Sequence, residues 1–172
     1  MKGKMIDERT QWDTRTITLV GVLMALTCVV TMMVHIPIPG TKGYLNPGDA
    51  LVLFSALTLG RKKGALVGGV GSAMADLFLG YAHYVPITLV VKGLEGYLCG
   101  RLYEKTGKTL PWVLVAGQVM AIGYLIAEIP LYGRIAAMGS YLPNVGQGLF
   151  GSICAVILFR VLGEALEKRV RV

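Results

Sequence analysis

Seven side chains stand out because they are ionisable or amide groups set within long apolar stretches: Asp49, Asp76, Lys92, Glu95, Glu128, Asn144 and Gln147. Charge at membrane depth is costly, so such groups face protein or water and often mark a ligand path. Their spacing offers hydrogen bonding and ion pairing, not bond-breaking chemistry. Lys92 and Glu95, three residues apart, share a helix face, as do Asn144 and Gln147. Two aromatic residues, Tyr84 and Tyr132, fall at the ends of apolar runs, where a ring can stack on a flat ligand or serve as an interfacial anchor.

Other chemistry is absent from the pattern. Gly107-Lys108-Thr109 resembles the end of a phosphate loop, but the required earlier glycine is Leu102 and no strand precedes it. His35 and His83 lack ligand spacing to each other or to cysteine. Cys28, Cys99 and Cys154 have no CxxC arrangement and read as small packing residues. No serine- or metal-based hydrolase constellation is found, so no cofactor and no catalytic residue is expected.

The elements that must position these groups are transmembrane helices. The chain has 172 residues, of which 54% are hydrophobic and only 16% charged, against about 25% charged in ordinary soluble domains. The net charge of +7 gathers at the ends of apolar runs, which reads as a topology signal and not as a nucleic-acid surface. Six spans are predicted in one domain: 16–36, 49–60, 64–80, 86–102, 110–131 and 144–162. Segment 1–15 is expected to be cytoplasmic, followed by a retained first helix and not by a cleaved signal. The second and third spans are separated by Arg61, Lys62 and Lys63, which do not belong in mid-bilayer, so a tight hairpin is predicted there.

Fourteen of the seventeen Lys and Arg lie at the N-terminal segment, the second-to-third and fourth-to-fifth connections and the C-terminal end. The positive-inside rule then puts both termini in the cytoplasm of a multi-pass protein of the bacterial plasma membrane. Segment 35–48, with three prolines and three glycines, becomes an extracellular loop able to cap a pocket. Rise per residue places Asp76 roughly 6 Å and Lys92 roughly 9 Å below the outer surface. As neighbours in an antiparallel hairpin they are expected to form a structural ion pair. Nearly all the unusual polar residues fall in the outer half of the bundle, where a pocket open to the outside needs them.

Three stretches carry a family resemblance: Asn46-Pro-Gly-Asp-Ala50, then Gly64-Ala-Leu-Val-Gly-Gly-Val-Gly-Ser-Ala-Met-Ala-Asp76, then Lys92-Gly-Leu-Glu-Gly96. Together they resemble the substrate-binding S components of energy-coupling-factor (ECF) vitamin transporters, in the branch assigned to pyridoxine, hydroxymethylpyrimidine or riboflavin. The resemblance implies capture of a vitamin from outside, association with a membrane T component and two ATPase subunits, and inward release by toppling. It implies T-component docking through Gly21 and Ala25 of the first helix. It also implies substrate contact by Asn144 and Gln147 at the start of the sixth. Riboflavin binders often carry lysine where Gln147 stands, which points away from riboflavin.

The expected substrate-binding set is therefore Tyr84, Lys92, Glu95, Glu128, Tyr132, Asn144 and Gln147. The expected partners are a small-molecule vitamin, the T component, the ATPases and the lipid bilayer, with no nucleic acid. The rival classes are a self-sufficient small channel or secondary transporter, and a ligand-free assembly factor.

Overall fold

The computed structural model describes residues 12–170, with side chains described to Gly163. The expected cytoplasmic placement of Lys2, Lys4, Arg9 and Arg171 concerns residues outside that range.

The described residues form six helices and one small hairpin. Helix α1 is Thr14–Met33, and strands β1 (Ile36–Pro37) and β2 (Tyr44–Leu45) follow it. Helices α2 (Asp49–Leu59), α3 (Arg61–Phe78), α4 (Val85–Thr106), α5 (Leu110–Tyr132) and α6 (Arg134–Val170) complete the chain. Asp13 caps α1 by accepting from Thr16 N at 3.0 Å. The turn from α2 to α3 is the single residue Gly60, whose φ of 88° suits glycine. This is the tight hairpin that Arg61, Lys62 and Lys63 predict. Glu104 of α4 receives Arg61 N at 2.9 Å, placing a carboxylate at the positive end of α3.

The surface is inverted relative to a soluble protein. Buried positions include Asp49, Asp76, Lys92, Glu95, Glu128, Asn144 and Gln147, while Val22, Leu77, Phe78, Val90, Ile126, Phe150 and Ile157 are exposed. Helices α1, α5 and α6 are each long and apolar enough to cross a membrane. Helices α3 and α4, with 18 and 22 residues, bury Ser72, Asp76, Thr88, Lys92 and Glu95 and expose Leu77, Phe78, Leu89, Val90 and Leu94. Helix α2 has 11 residues, nearly all buried, and spans only about 16 Å. It is the central post, packed on α3, α4 and α6, and its first residue, Asp49, therefore sits inside the bundle.

Glycine sets how closely the helices approach. A methyl group at Gly64 would meet Ala56 Cα at 2.6 Å, and one at Gly148 would meet the Gly117 carbonyl at 2.7 Å. Such contacts require bare backbone, the usual means of packing in lipid. The 64-68-72-76 face of α3 divides: Gly64 and Gly68 press on α2 and α4, while Ser72 and Asp76 open onto a cavity.

One helix boundary differs from expectation. The sixth helix starts at Arg134, not Asn144, and runs through Pro143. Proline reads as a helix opening in sequence, because it fits the first turn without a donor. Here the preceding turns exist, so Asn144 and Gln147 sit about three to four turns inside α6 and Ser140 joins the site.

Candidate functional site

The β1–β2 hairpin folds over one end of the bundle. Ile36 pairs with Leu45 and Pro37 with Tyr44, and Ile38 N donates to the Gly43 carbonyl at 3.0 Å. Its tip presses inward: a methyl at Gly43 would lie 3.1 Å from Glu128 Oε1 and 3.3 Å from the Tyr84 hydroxyl. Segment 35–48 is thus a lid, anchored by Asn46. The Asn46 side chain accepts from Gly48 N at 2.9 Å and from the Thr31 hydroxyl at 3.3 Å, and its backbone N donates to Gln147 Oε1 at 2.8 Å.

Beneath the lid lies a polar cavity bordered by α1 and α3 to α6 as well as the hairpin; Tyr84, Lys92, Glu128, Asn144 and Gln147 line it. Five of the seven expected binding residues therefore converge. The other two do not line it: Glu95 is buried behind Lys92, and Tyr132 stacks outside on Tyr84 with ring centroids 6.3 Å apart. Tyr132 also meets His83 Nε2 at 2.9 Å.

The expected Asp76–Lys92 pair is replaced by another. Lys92 Nζ contacts Asp49 Oδ1 and lies 3.3 Å from Glu95 Oε2. The reason is α2: its N-terminus enters the bundle between α4 and α6 and presents Asp49 to the ammonium, a neighbour that hairpin adjacency alone does not reveal. Asp76 instead accepts from the Tyr44 hydroxyl at 2.6 Å. On the opposite wall Glu128 accepts from the Tyr84 hydroxyl at 2.8 Å and from Ser140 Oγ. Burial, then the neighbouring Asp76 charge, pushes the Tyr44 phenol above its ordinary range. Burial and the Glu128 hydrogen bond do the same to Tyr84. Both phenols therefore remain donors.

Polar groups converge as expected, but the chamber is closed. Its free volume is about 20 Å³, which suits a single water. A vitamin-sized ring enters only if the lid lifts and the tyrosines part. Residues beyond the expected set also line the cavity: Thr31, Gly43, Tyr44, Asn46, Ser72, Asp76, Thr88 and Tyr124. Hydroxyl residues are common in helix contacts, so Thr31, Ser72 and Thr88 carry little signal in sequence. Asn46 stands in the Asn46–Ala50 motif that carried the family resemblance, and within the proline- and glycine-rich segment that pointed to the lid.

A bundle of apolar-faced helices around a polar cavity defines a helical membrane protein. The family model of the ECF-type riboflavin transporter S component matches residues 11–164, and the chain belongs to that family. It is a transporter-component family, not an enzyme family. The chain is 38% identical over 83% of its length, and 95% of the relative's, to a Pyrococcus woesei protein described as an uncharacterized protein in gap 3'region. It is 28% identical to the thiamine precursor transporter HmpT of Lactococcus lactis subsp. cremoris (strain MG1363), over 90% of each chain.

Proposed function

We propose that this chain is the substrate-capturing subunit for a hydroxymethylpyrimidine- or pyridoxine-like vitamin precursor, working with a T component and two ATPases in the cell membrane. The observation that carries the reading is the convergence of Tyr84, Lys92, Glu128, Asn144 and Gln147 on one cavity under a hairpin lid. The thiamine-precursor name of the Lactococcus relative supports a pyrimidine over a flavin, as does Gln147 in place of lysine. Both termini are cytoplasmic in this reading, with the lid outside, as the distribution of Lys and Arg requires.

The docking face is on α1. A side chain added at Gly21 would meet nothing within 4 Å among the described residues, and Ala25 is exposed, so this small-residue stretch is not covered by the described helices and is open to a T component. The lid and its hydrogen bonds form the closed state, and ligand binding exchanges protein–protein hydrogen bonds for protein–ligand ones.

The test is equilibrium binding of purified protein to a panel of water-soluble vitamins and precursors. Submicromolar binding of a pyrimidine or pyridine precursor is expected. Absence of binding to every member of the panel contradicts the reading.

A further inference from the structure

Two buried polar atoms of the cavity have no hydrogen-bond partner among the described residues: Ser72 Oγ and Asp76 Oδ2. Each residue is only 3% exposed, and both line the cavity. They stand four apart on α3, one above the other on the same face. Several buried hydroxyls in these helices bond the carbonyl four residues back: Thr27 to Leu23, Ser55 to Leu51, Thr58 to Phe54 and Ser152 to Gly148. Ser72 does not, which leaves its proton available to the cavity.

The surroundings of Asp76 leave the second oxygen equally available. Tyr44 occupies Oδ1. Thr88 Oγ1 on α4 shares a hydrogen bond with the Tyr124 hydroxyl at 3.0 Å and also faces Asp76, without completing a hydrogen bond to Oδ2. Lys92 is held by Asp49 and Glu95, and His83 by Tyr132. The other unpartnered buried atoms, Glu95 Oε1 and Gln118 Nε2, belong to residues that do not line the cavity. A buried acceptor and a buried hydroxyl left unpaired side by side are costly, and a ligand supplying both partners recovers that cost.

We propose that Ser72 and Asp76 form a two-point anchor for a heterocycle with an amino group beside a ring nitrogen, the edge of an aminopyrimidine. The amino N–H donates to Asp76 Oδ2, and the ring nitrogen accepts the Ser72 hydroxyl proton. This deepens the reading above and rests on it, since it takes the cavity to be the ligand site. An imide edge, as on a flavin, offers the same donor–acceptor pair but carries a second carbonyl on the far side of its N–H, for which the anchor supplies no donor. A pyridine without the adjacent amino group leaves Oδ2 unpaired. Discrimination through buried polar partners is the strong kind, because the wrong ligand leaves them unsatisfied.

The test is calorimetric titration of the full chain in detergent with 4-amino-5-hydroxymethyl-2-methylpyrimidine, its analogue lacking the 4-amino group, pyridoxine and riboflavin. The amino compound is expected to bind at least about tenfold tighter than the des-amino analogue. Ser72→Ala and Asp76→Asn are each expected to lose about tenfold or more for the amino compound, and Asp76→Asn to close the gap to the analogue. Ser72→Ala guards against misfolding as an explanation. Removing an unpartnered hydroxyl leaves the thermal stability of ligand-free protein unchanged or higher, whereas a packing role predicts a loss. Equal binding of the amino and des-amino compounds, or wild-type affinity in both variants, overturns the anchor while leaving the cavity as a ligand site. Preferred binding of riboflavin overturns the ligand class. Binding of no probe overturns the functional reading as well.

Discussion

Gln147 on α6 donates through Nε2 to Asp49 Oδ2 at 3.0 Å. Its Oε1 accepts from Asn46 N at 2.8 Å. One amide therefore ties the lid to the charged floor of the cavity, with both its oxygen and its nitrogen engaged by the protein. Lifting the lid frees Oε1 for another donor.

Replacing Gln147 by leucine strands the Asn46 N–H and Asp49 Oδ2. Each lost partner costs about 1–3 kcal/mol when buried. If the lid retains the ligand as proposed, the loss falls mainly in dissociation, as is usual for interface changes. Stopped-flow measurement should find the off-rate raised about tenfold or more, with association changed much less. An unchanged off-rate contradicts the coupling of lid to floor.

Lys92, Asp49 and Glu95 are all buried, so removing the cation leaves two carboxylates with no counter-charge. Lys92→Met is expected to destabilise the protein by about 3–5 kcal/mol. Adding Asp49→Asn to it should restore part of that loss, a coupling of about 1–3 kcal/mol. Thermal unfolding in detergent of both single variants and the double variant reads the coupling. Strictly additive losses contradict the assigned pair.

The glycines separate into those that touch another helix and those that do not. Gly148→Leu collides with the Gly117 backbone and should cost about 1–3 kcal/mol or prevent folding. Gly146 has nothing within 4 Å, so Gly146→Ala should be neutral or stabilise by about 0.5–1 kcal/mol, since alanine favours the helix. Thermal midpoints of the two variants test the contrast.

The same contrast serves the docking proposal. Gly21→Trp combined with Ala25→Trp projects bulk away from the bundle. Ligand affinity of the purified subunit should stay within about twofold of wild type, within the ±0.5 kcal/mol usual for surface changes. Uptake into cells that carry the partner subunits should fall to background. Retained uptake, or loss of affinity along with uptake, contradicts a docking role.

Much of this was legible in the sequence for reasons that can be named. Arg61, Lys62 and Lys63 forced a turn where hydropathy alone suggested one long helix, and Gly60 supplies it. Asp49, Lys92, Glu128, Asn144 and Gln147 were conspicuous because charge and amide groups are rare in apolar stretches. Partner choice was not legible. Depth along a helix ranks Asp76 as the neighbour of Lys92, but only the packing of α2 between α4 and α6 brings Asp49 to the ammonium. Pro143 concealed the start of α6, since a proline looks the same at a helix start and within a helix whose neighbours satisfy the backbone. The lid was visible as a proline- and glycine-rich loop, but its closure on Gln147 and Glu128 depends on contacts about a hundred residues apart in sequence.

The most direct test of the central claim concerns Asn144. It is buried, lines the cavity, and none of the hydrogen bonds of the described residues involves its side chain. Asn144→Ala should therefore leave the thermal midpoint of ligand-free protein unchanged. Its affinity for 4-amino-5-hydroxymethyl-2-methylpyrimidine, measured by calorimetry beside wild type, should fall about tenfold or more. Wild-type affinity in the Asn144→Ala variant would contradict placing the ligand beneath the hairpin.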